Sequence, residues 1–227
     1  MQHAQFPHVG GDISSIIETL VSVDGSASHS HVQMLSAAAN DHGARPLASL
    51  ADAAHYLCLL HGRFPGVVDN AATRSADNAA RHWLVQTCEA FADERAYLTS
   101  ISVALGPVPS TTGQHNCDSA VLQQRHALEM LSQSDRRGCA MGAALTLILD
   151  WNGIRNLLDR AAMRLGLEPA KCGLPGDADT LAVARAIAVD DATIRAMQFG
   201  ARQLLTQHRG LWELMRARSD IRAAEEM

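Results

Sequence analysis

Residues 138–149 (GCAMGAALTLIL) constrain the fold of this chain more than any other stretch. The segment has twelve uncharged residues, and Gly138 and Gly142 follow one another at four-residue spacing. On a helix this spacing makes a narrow ridge, which lets neighbouring backbones approach closely. Twelve residues are too few to cross a bilayer, which needs about 20. The segment is therefore predicted to be the buried central helix of an all-α protein.

Composition supports helices and argues against several classes of function. Of the 227 residues 47% are hydrophobic but only 4% aromatic, so residues that lose little rotamer freedom in a helix fill the interior. The net charge of −5 comes without a basic patch, which argues against nucleic acid as a partner. Five cysteines without a C-x-x-C pair indicate reduced thiols and a cytoplasmic location. The first residues have neither the basic region nor the apolar run of a signal peptide, and no membrane insertion is expected.

Apolar periodicity predicts about seven or eight helices, four of them long enough to form an antiparallel bundle. The four long segments are 77–105, 117–149, 151–165 and 193–222. Within 117–149, residues 132–138 either bend or end the helix, and residues 150–152 are expected to break it. Residues 12–222 are predicted to form one helical domain, with a possible sub-boundary at the 166–177 linker. Residues 1–11 and 223–227 are expected to be a flexible leader and tail.

One run of motifs also resembles a known family. The run is ERAYLT (residues 94–99), GPVPSTTGQ (residues 106–114), QQRHALEMLSQSDRRGCAMGAA (residues 123–144) and DWNGIR (residues 150–155). It resembles an uncharacterised family of all-helical bacterial proteins of similar length, over residues 59–164 and, at its widest, the whole chain. The resemblance implies an all-α fold and no particular activity. The long helices are also similar in architecture to ferritin-like and heme-oxygenase-like bundles.

Polar residues that interrupt apolar stripes are the main candidates for a site, because burying them costs free energy unless they are paired. If the helices on either side of the 106–114 loop are antiparallel, Glu94 lies level with the segment around His126. The candidate polar cluster comprises Glu94, Gln124, Arg125, His126, Glu129, Asp135 and His208. It is interpreted either as a buried hydrogen-bond network, as the floor of a ligand pocket, or as a di-metal site formed by Glu94, His126, Glu129 and His208. The sequence lacks the Glu-x-x-His motif of ferritin-like sites, so no metal or other cofactor is predicted.

Two of the three further features have two interpretations each. The hydroxyls of the 106–114 loop either bind an anion or belong to a plain helix-connecting turn. The arginines of DRRG (residues 135–138) form either a solvated turn or an anion clamp. His29 and His31, in a serine-rich loop, are expected to be solvated.

The function predicted from these features is non-enzymatic: a cytoplasmic bundle protein that binds a partner or a small ligand, or that self-associates. The alternatives are a ferritin-like or heme-oxygenase-like metal-dependent enzyme that uses the interior Glu and His residues, and a sensor that uses the same cluster as a ligand pocket. A homo-oligomer or a protein partner is expected.

Overall fold

The protein is an all-α helical bundle. The structure, a computed structural model, describes residues 12–38 and 44–225, and within these ranges the chain forms nine α-helices and one short 3₁₀ turn without any β-strand. The helices are α1 (Ile13–Asp24), α2 (Ser30–Ala38), α3 (Ala44–His61), α4 (Val67–Arg74), α5 (Asn78–Leu105), α6 (Gln114–Ser132), α7 (Cys139–Arg164), α8 (Asp177–Ile187) and α9 (Asp191–Glu225). The predicted leader lies outside the described residues. Helix α9 continues to Glu225, which is within the predicted tail, and residues 226–227 lie outside the described residues.

Helix α7 is the centre of the bundle, as its sequence predicts. Every residue from Cys139 to Trp151 is buried, and α7 packs against α1, α4, α6, α8 and most extensively α9. The largest fully buried side chains among the described residues are those of Trp151, Trp212, Tyr56 and Phe91. A mostly aliphatic interior with few large rings is what the low aromatic content predicts.

The predicted small-residue ridge is confirmed where α7 meets α9. A Cβ atom on Gly142 would lie 2.1 Å from the carbonyl oxygen of Met197, and one on Gly200 would lie 2.1 Å from that of Cys139. Each glycine therefore receives the backbone of the opposite helix. Because interiors are close-packed, this double contact fixes how α9 lies on α7.

The start of α7 decides between the two alternatives for residues 132–138, and its end differs from the prediction. The helix of 117–149 ends at Ser132, and α7 starts after Gly138, whose φ of 92° suits glycine best. The expected break at residues 150–152 is wrong, because α7 continues to Arg164. Asp150 does not cap a helix end there; its carboxylate binds groups that are distant in sequence.

Helices α5 and α6 do not form the expected hairpin. Helix α3 packs against both of them, and α6 instead contacts α3, α7 and α9. Within the 106–113 connection, Thr111 contacts Arg218 and Arg222 of α9. The assumption that Glu94 lies level with His126 is therefore wrong.

None of the helices among the described residues is long and apolar enough to span a membrane. After the 166–177 linker, α8 packs against α1, α5 and α7, while α9 contacts α1, α3, α6 and α7. The two C-terminal helices thus complete the bundle formed by the earlier ones.

Candidate functional site

Glu94 belongs to a buried network that joins α5 and α7. Its carboxylate accepts a hydrogen bond of 2.9 Å from Trp151 Nε1 and one from the guanidinium group of Arg155. Arg155 Nε donates to Asp159 Oδ1 at 2.8 Å, and the Tyr97 hydroxyl donates to the same oxygen at 2.7 Å. Glu94 is 1% exposed, so its charge is neutralised inside the protein rather than by solvent.

The connection before α8 closes this network from outside. Arg155 Nη2 donates to the carbonyl oxygen of Ala170, and the Arg155 guanidinium lies 4.2 Å from the centre of the Tyr97 ring. Burial raises the pKa of Tyr97, and its bond to Asp159 raises it further, so the hydroxyl stays protonated and acts as a donor. The donors and acceptors around Glu94 therefore bind one another, which fits the interpretation as a hydrogen-bond network.

His208 belongs to a second buried network. Asp150 accepts hydrogen bonds of 2.6 Å from the Ser26 amide, the Ser26 hydroxyl and His208 Nδ1. The Nε2 atom of His208 lies 2.8 Å from Nε2 of His61. Because Nδ1 of His208 donates to Asp150, Nε2 of His208 is the acceptor of a hydrogen bond from Nε2–H of His61. Burial lowers the pKa of His61 well below its ordinary value, and His208 lowers it further, so His61 is neutral.

Asp150, His208 and His61 are the residue types of an acid–base relay. Together with Ser26, however, they join four segments in the core. Trp212 Nε1 donates to Ser26 Oγ at 2.9 Å, which closes the network around the 3₁₀ turn. Asp150 and His208 are 2% and 1% exposed, so a substrate cannot reach them in this conformation. The network therefore holds the 3₁₀ turn, α3, α7 and α9 together.

A third network ties the 106–113 connection to α3 and α9. Asp52 accepts hydrogen bonds from Arg218 at 3.0 Å and from Arg222. Arg218 also donates to the Pro109 carbonyl oxygen at 3.0 Å and to Thr111 Oγ1 at 3.3 Å. The Thr111 hydroxyl is thus engaged in docking the loop, which argues against the anion-binding interpretation of residues 106–114.

The predicted residues of α6 do not join Glu94. His126 and Glu129 are exposed, and His126 Nδ1 lies 3.9 Å from Glu129 Oε2 on the helix surface. Gln124 and Arg125 are half-buried, with Gln124 facing Gly210 of α9. The predicted cluster is therefore split, because α3 and not α6 packs beside α5.

The proposed metal set is split in the same way. Glu94 binds Arg155, His208 binds Asp150, and His126 and Glu129 lie outside. Within residues 12–38 and 44–225 no three His, Cys, Asp or Glu side chains are arranged to hold a metal ion.

His29 and His31 correct another expectation. They are 4% and 2% exposed rather than solvated, because the 3₁₀ turn and α2 fold onto α7 and α9. His29 Nε2 lies 3.2 Å from Glu213 Oε1, whereas neither ring nitrogen of His31 has a hydrogen-bond partner. Burial lowers the pKa of His31 to about 4, and the nearby His29 contributes in the same direction.

The buried positions of several residues in these networks were not predicted from the sequence. Arg218 and Arg222 had a usable signal, since they continue the stripe of His208, Leu211 and Met215 at spacings of three and four residues. Two arginines at core-facing positions call for a buried acid, which is Asp52. Asp150 gave no such signal, because its partners lie 124 and 58 residues away.

An open cleft lies at the N-terminal end of α7, where the DRRG motif is. It has a volume of about 680 Å³, within the range of small-molecule sites. Its walls come from the end of α4, the 133–138 connection, the first turn of α7, the end of α8 and the start of α9. The charged side chains that line it are Arg74, Asp77, Asp135, Arg136 and Arg137.

The charges of this cleft favour an anion. Three arginines face two aspartates, a net charge of +1 in a chain whose total is −5. Arg74 lies 2.6 Å from Asp135, which is 97% exposed, and Arg137 lies 3.3 Å from Asp77. Gly138, Ala140 and Met141 bring the first turn of α7 to the cleft, and no side chain caps this helix end. The positive end of the helix dipole therefore adds to the arginines.

Comparison with known proteins identifies the family. No curated protein and no solved structure shows significant similarity to the chain. A sequence model of a family of unknown function, DUF6975, matches residues 21–223, which include the central helix, the three buried networks and the cleft. The all-helical fold agrees with the resemblance noted in the sequence. The chain is thus a member of the DUF6975 family.

Proposed function

We propose that this protein binds a small anionic ligand in the arginine-lined cleft and acts by binding rather than by catalysis. The observation that carries the proposal is the cleft of about 680 Å³ with three arginines around the uncapped start of α7. It takes up the anion-clamp interpretation of DRRG. The predicted ligand pocket is therefore assigned to this cleft. The interior cluster is not chosen, because its main groups bind one another.

The ion pairs of the cleft leave the arginines available to a ligand. Arg74 and Asp135 are 41% and 97% exposed, and Arg137 is 60% exposed. Exposed pairs of this kind contribute about 0–1 kcal/mol, so an anion can replace the aspartate at small cost. Phosphate and carboxylate groups accept two parallel hydrogen bonds from a guanidinium group, which makes them the preferred ligand chemistry.

The test is thermal unfolding with increasing phosphate, sulfate or acetate, against sodium chloride of equal ionic strength. A ligand at 100 times its Kd stabilises the folded state by about 2.7 kcal/mol. We expect phosphate to raise the Tm more than chloride does, and Arg137→Gln to reduce the difference. Arg216→Gln is the matched control, because Arg216 is similarly exposed but pairs with Glu213 elsewhere on α9. Equal Tm values in phosphate and chloride would refute the proposal.

A second candidate function is self-association through α6 and α9. A groove of about 360 Å³ between these helices includes Met130 and Phe199, which are 59% and 44% exposed. Exposed apolar side chains grouped in this way are typical of association surfaces. Light scattering should give twice the 24.3 kDa chain mass, and Met130→Glu should return it to the monomer value.

The proposed location is the cytoplasm of a bacterial cell. All five cysteines are free, and Cys117 and Cys139 are buried, as expected in a reducing compartment. Fractionation of cells that express the full chain would test the location.

A further inference from the structure

We propose that the ligand of the arginine-lined cleft is amphiphilic, with an anionic head and a short apolar chain. This inference rests on the proposed function, because it assigns the head to the arginines. The additional observation is a second cleft beside the first, whose lining is mainly apolar.

The two clefts have a wall in common. The second has a volume of about 380 Å³, and Ser75, Ala76 and Asp77 line both. These three residues form the connection between α4 and α5. This segment therefore separates a ligand bound among the arginines from the second cleft.

The second cleft suits an alkyl chain. Ala72, Leu84, Val85 and Cys88 give it an apolar lining, and Val85 is 56% exposed. Burial raises the pKa of Cys88 to about 11, and the charge of Asp69 adds to this, so the thiol is neutral and behaves as a small apolar group. Arg81 and Glu89 contribute one charge of each sign and no net charge.

The position of Asp77 connects head and chain. Asp77 lines both clefts and pairs with Arg137, which lines only the first. An anionic head that replaces Asp77 at Arg137 lies at the junction of the clefts. The atoms next to the head are then beside the apolar cleft, so even a chain of a few carbons gains contact.

The experiment is calorimetric titration with methyl, propyl and pentyl phosphate, at ligand concentrations below those at which the alkyl phosphates associate. Each buried methylene should lower the Kd about fourfold. Val85→Asn should reduce the ratio of the methyl to the pentyl phosphate Kd. Val103→Asn should leave that ratio unchanged, because Val103 is exposed on the same helix but lines neither cleft. Arg137→Gln should weaken all three ligands by a similar factor.

The outcomes separate this inference from the proposed function. Equal Kd values for the three ligands would overturn the amphiphilic ligand and leave anion binding in place. A chain-length effect that Val85→Asn does not reduce would also overturn it, because the chain would then lie elsewhere. Failure of all three ligands to bind would overturn both proposals.

Discussion

The contact between Gly142 and Met197 gives the most direct prediction for stability. In Gly142→Ala the new Cβ would lie 2.1 Å from the Met197 carbonyl oxygen, where ordinary contact requires at least 3.4 Å. Helices α7 and α9 would have to separate by more than an ångström at their closest point, because backbone on both sides cannot rotate away. Overpacking of this kind costs about 1–3 kcal/mol, and a collision with backbone belongs at the upper end.

The expected result is a large drop in thermal stability. For a chain of this size 1 kcal/mol corresponds to about 2–4 °C in Tm, so Gly142→Ala should lower the Tm by about 6–12 °C. Without a collision, alanine would stabilise the helix by about 1 kcal/mol relative to glycine. A loss of stability would therefore have to come from the contact with Met197. Differential scanning calorimetry of the purified variant measures the change.

Gly210→Ala is the matched control in the partner helix. Its Cβ would meet only the end of the flexible Gln124 side chain, at 2.6 Å, and this side chain can move. The control should therefore keep or raise the Tm. If Gly142→Ala were as stable as the parent protein, the close approach of α7 and α9 would be refuted.

Three further predictions concern the buried polar groups and metal content. Glu94→Leu leaves Arg155 without the buried one of its two acids and should cost about 3 kcal/mol in urea unfolding. Glu94→Leu with Arg155→Met should recover part of the loss, and equal stability of the single and double variants would contradict this. The pKa of His31 is about 4 in the folded state and about 6.5 in the unfolded state, so the unfolded state binds more protons between these values. The free energy of unfolding should therefore fall by about 2 kcal/mol from pH 7 to pH 4.5. His31→Leu should reduce this dependence on pH. Protein purified without chelator should contain less than one equivalent of iron or manganese by elemental analysis; two equivalents, lost in Glu94→Ala and His126→Ala, would contradict the prediction.

The helices could be predicted because their signal is local. Apolar residues at spacings of three and four define each stripe, and the glycine spacing of 138–142 predicted a close contact that Met197 provides. The break at Asp150 was wrongly predicted because the same residue type can end a helix or satisfy a buried network. Only the fold, which brings Ser26 and His208 to Asp150, decides between these roles.

The site was harder to predict because its residues come from distant segments. The wrong pairing of Glu94 with His126 assumed that helices adjacent in sequence are adjacent in space, whereas α3 lies against both α5 and α6. The arginine-lined cleft combines Arg74, DRRG and Thr193. Of these, only DRRG stands out in the sequence, and its meaning depends on the others.

The close backbone contacts of Gly142 with Met197 and of Gly200 with Cys139 make this crossing of α7 and α9 a pivot for α9. The helix has 35 residues and is about 52 Å long. Gly200, where it is pinned to α7, lies about 14 Å from its start and about 38 Å from its end. Thr193 lies in the wall of the cleft, on the short side of this pivot. If a small displacement at Thr193 tilted α9, the C-terminal end of the helix would move in the opposite direction by more than twice as much. The Arg218 and Arg222 contacts with the 106–113 connection lie on that longer part of α9, so such a movement would displace them as well.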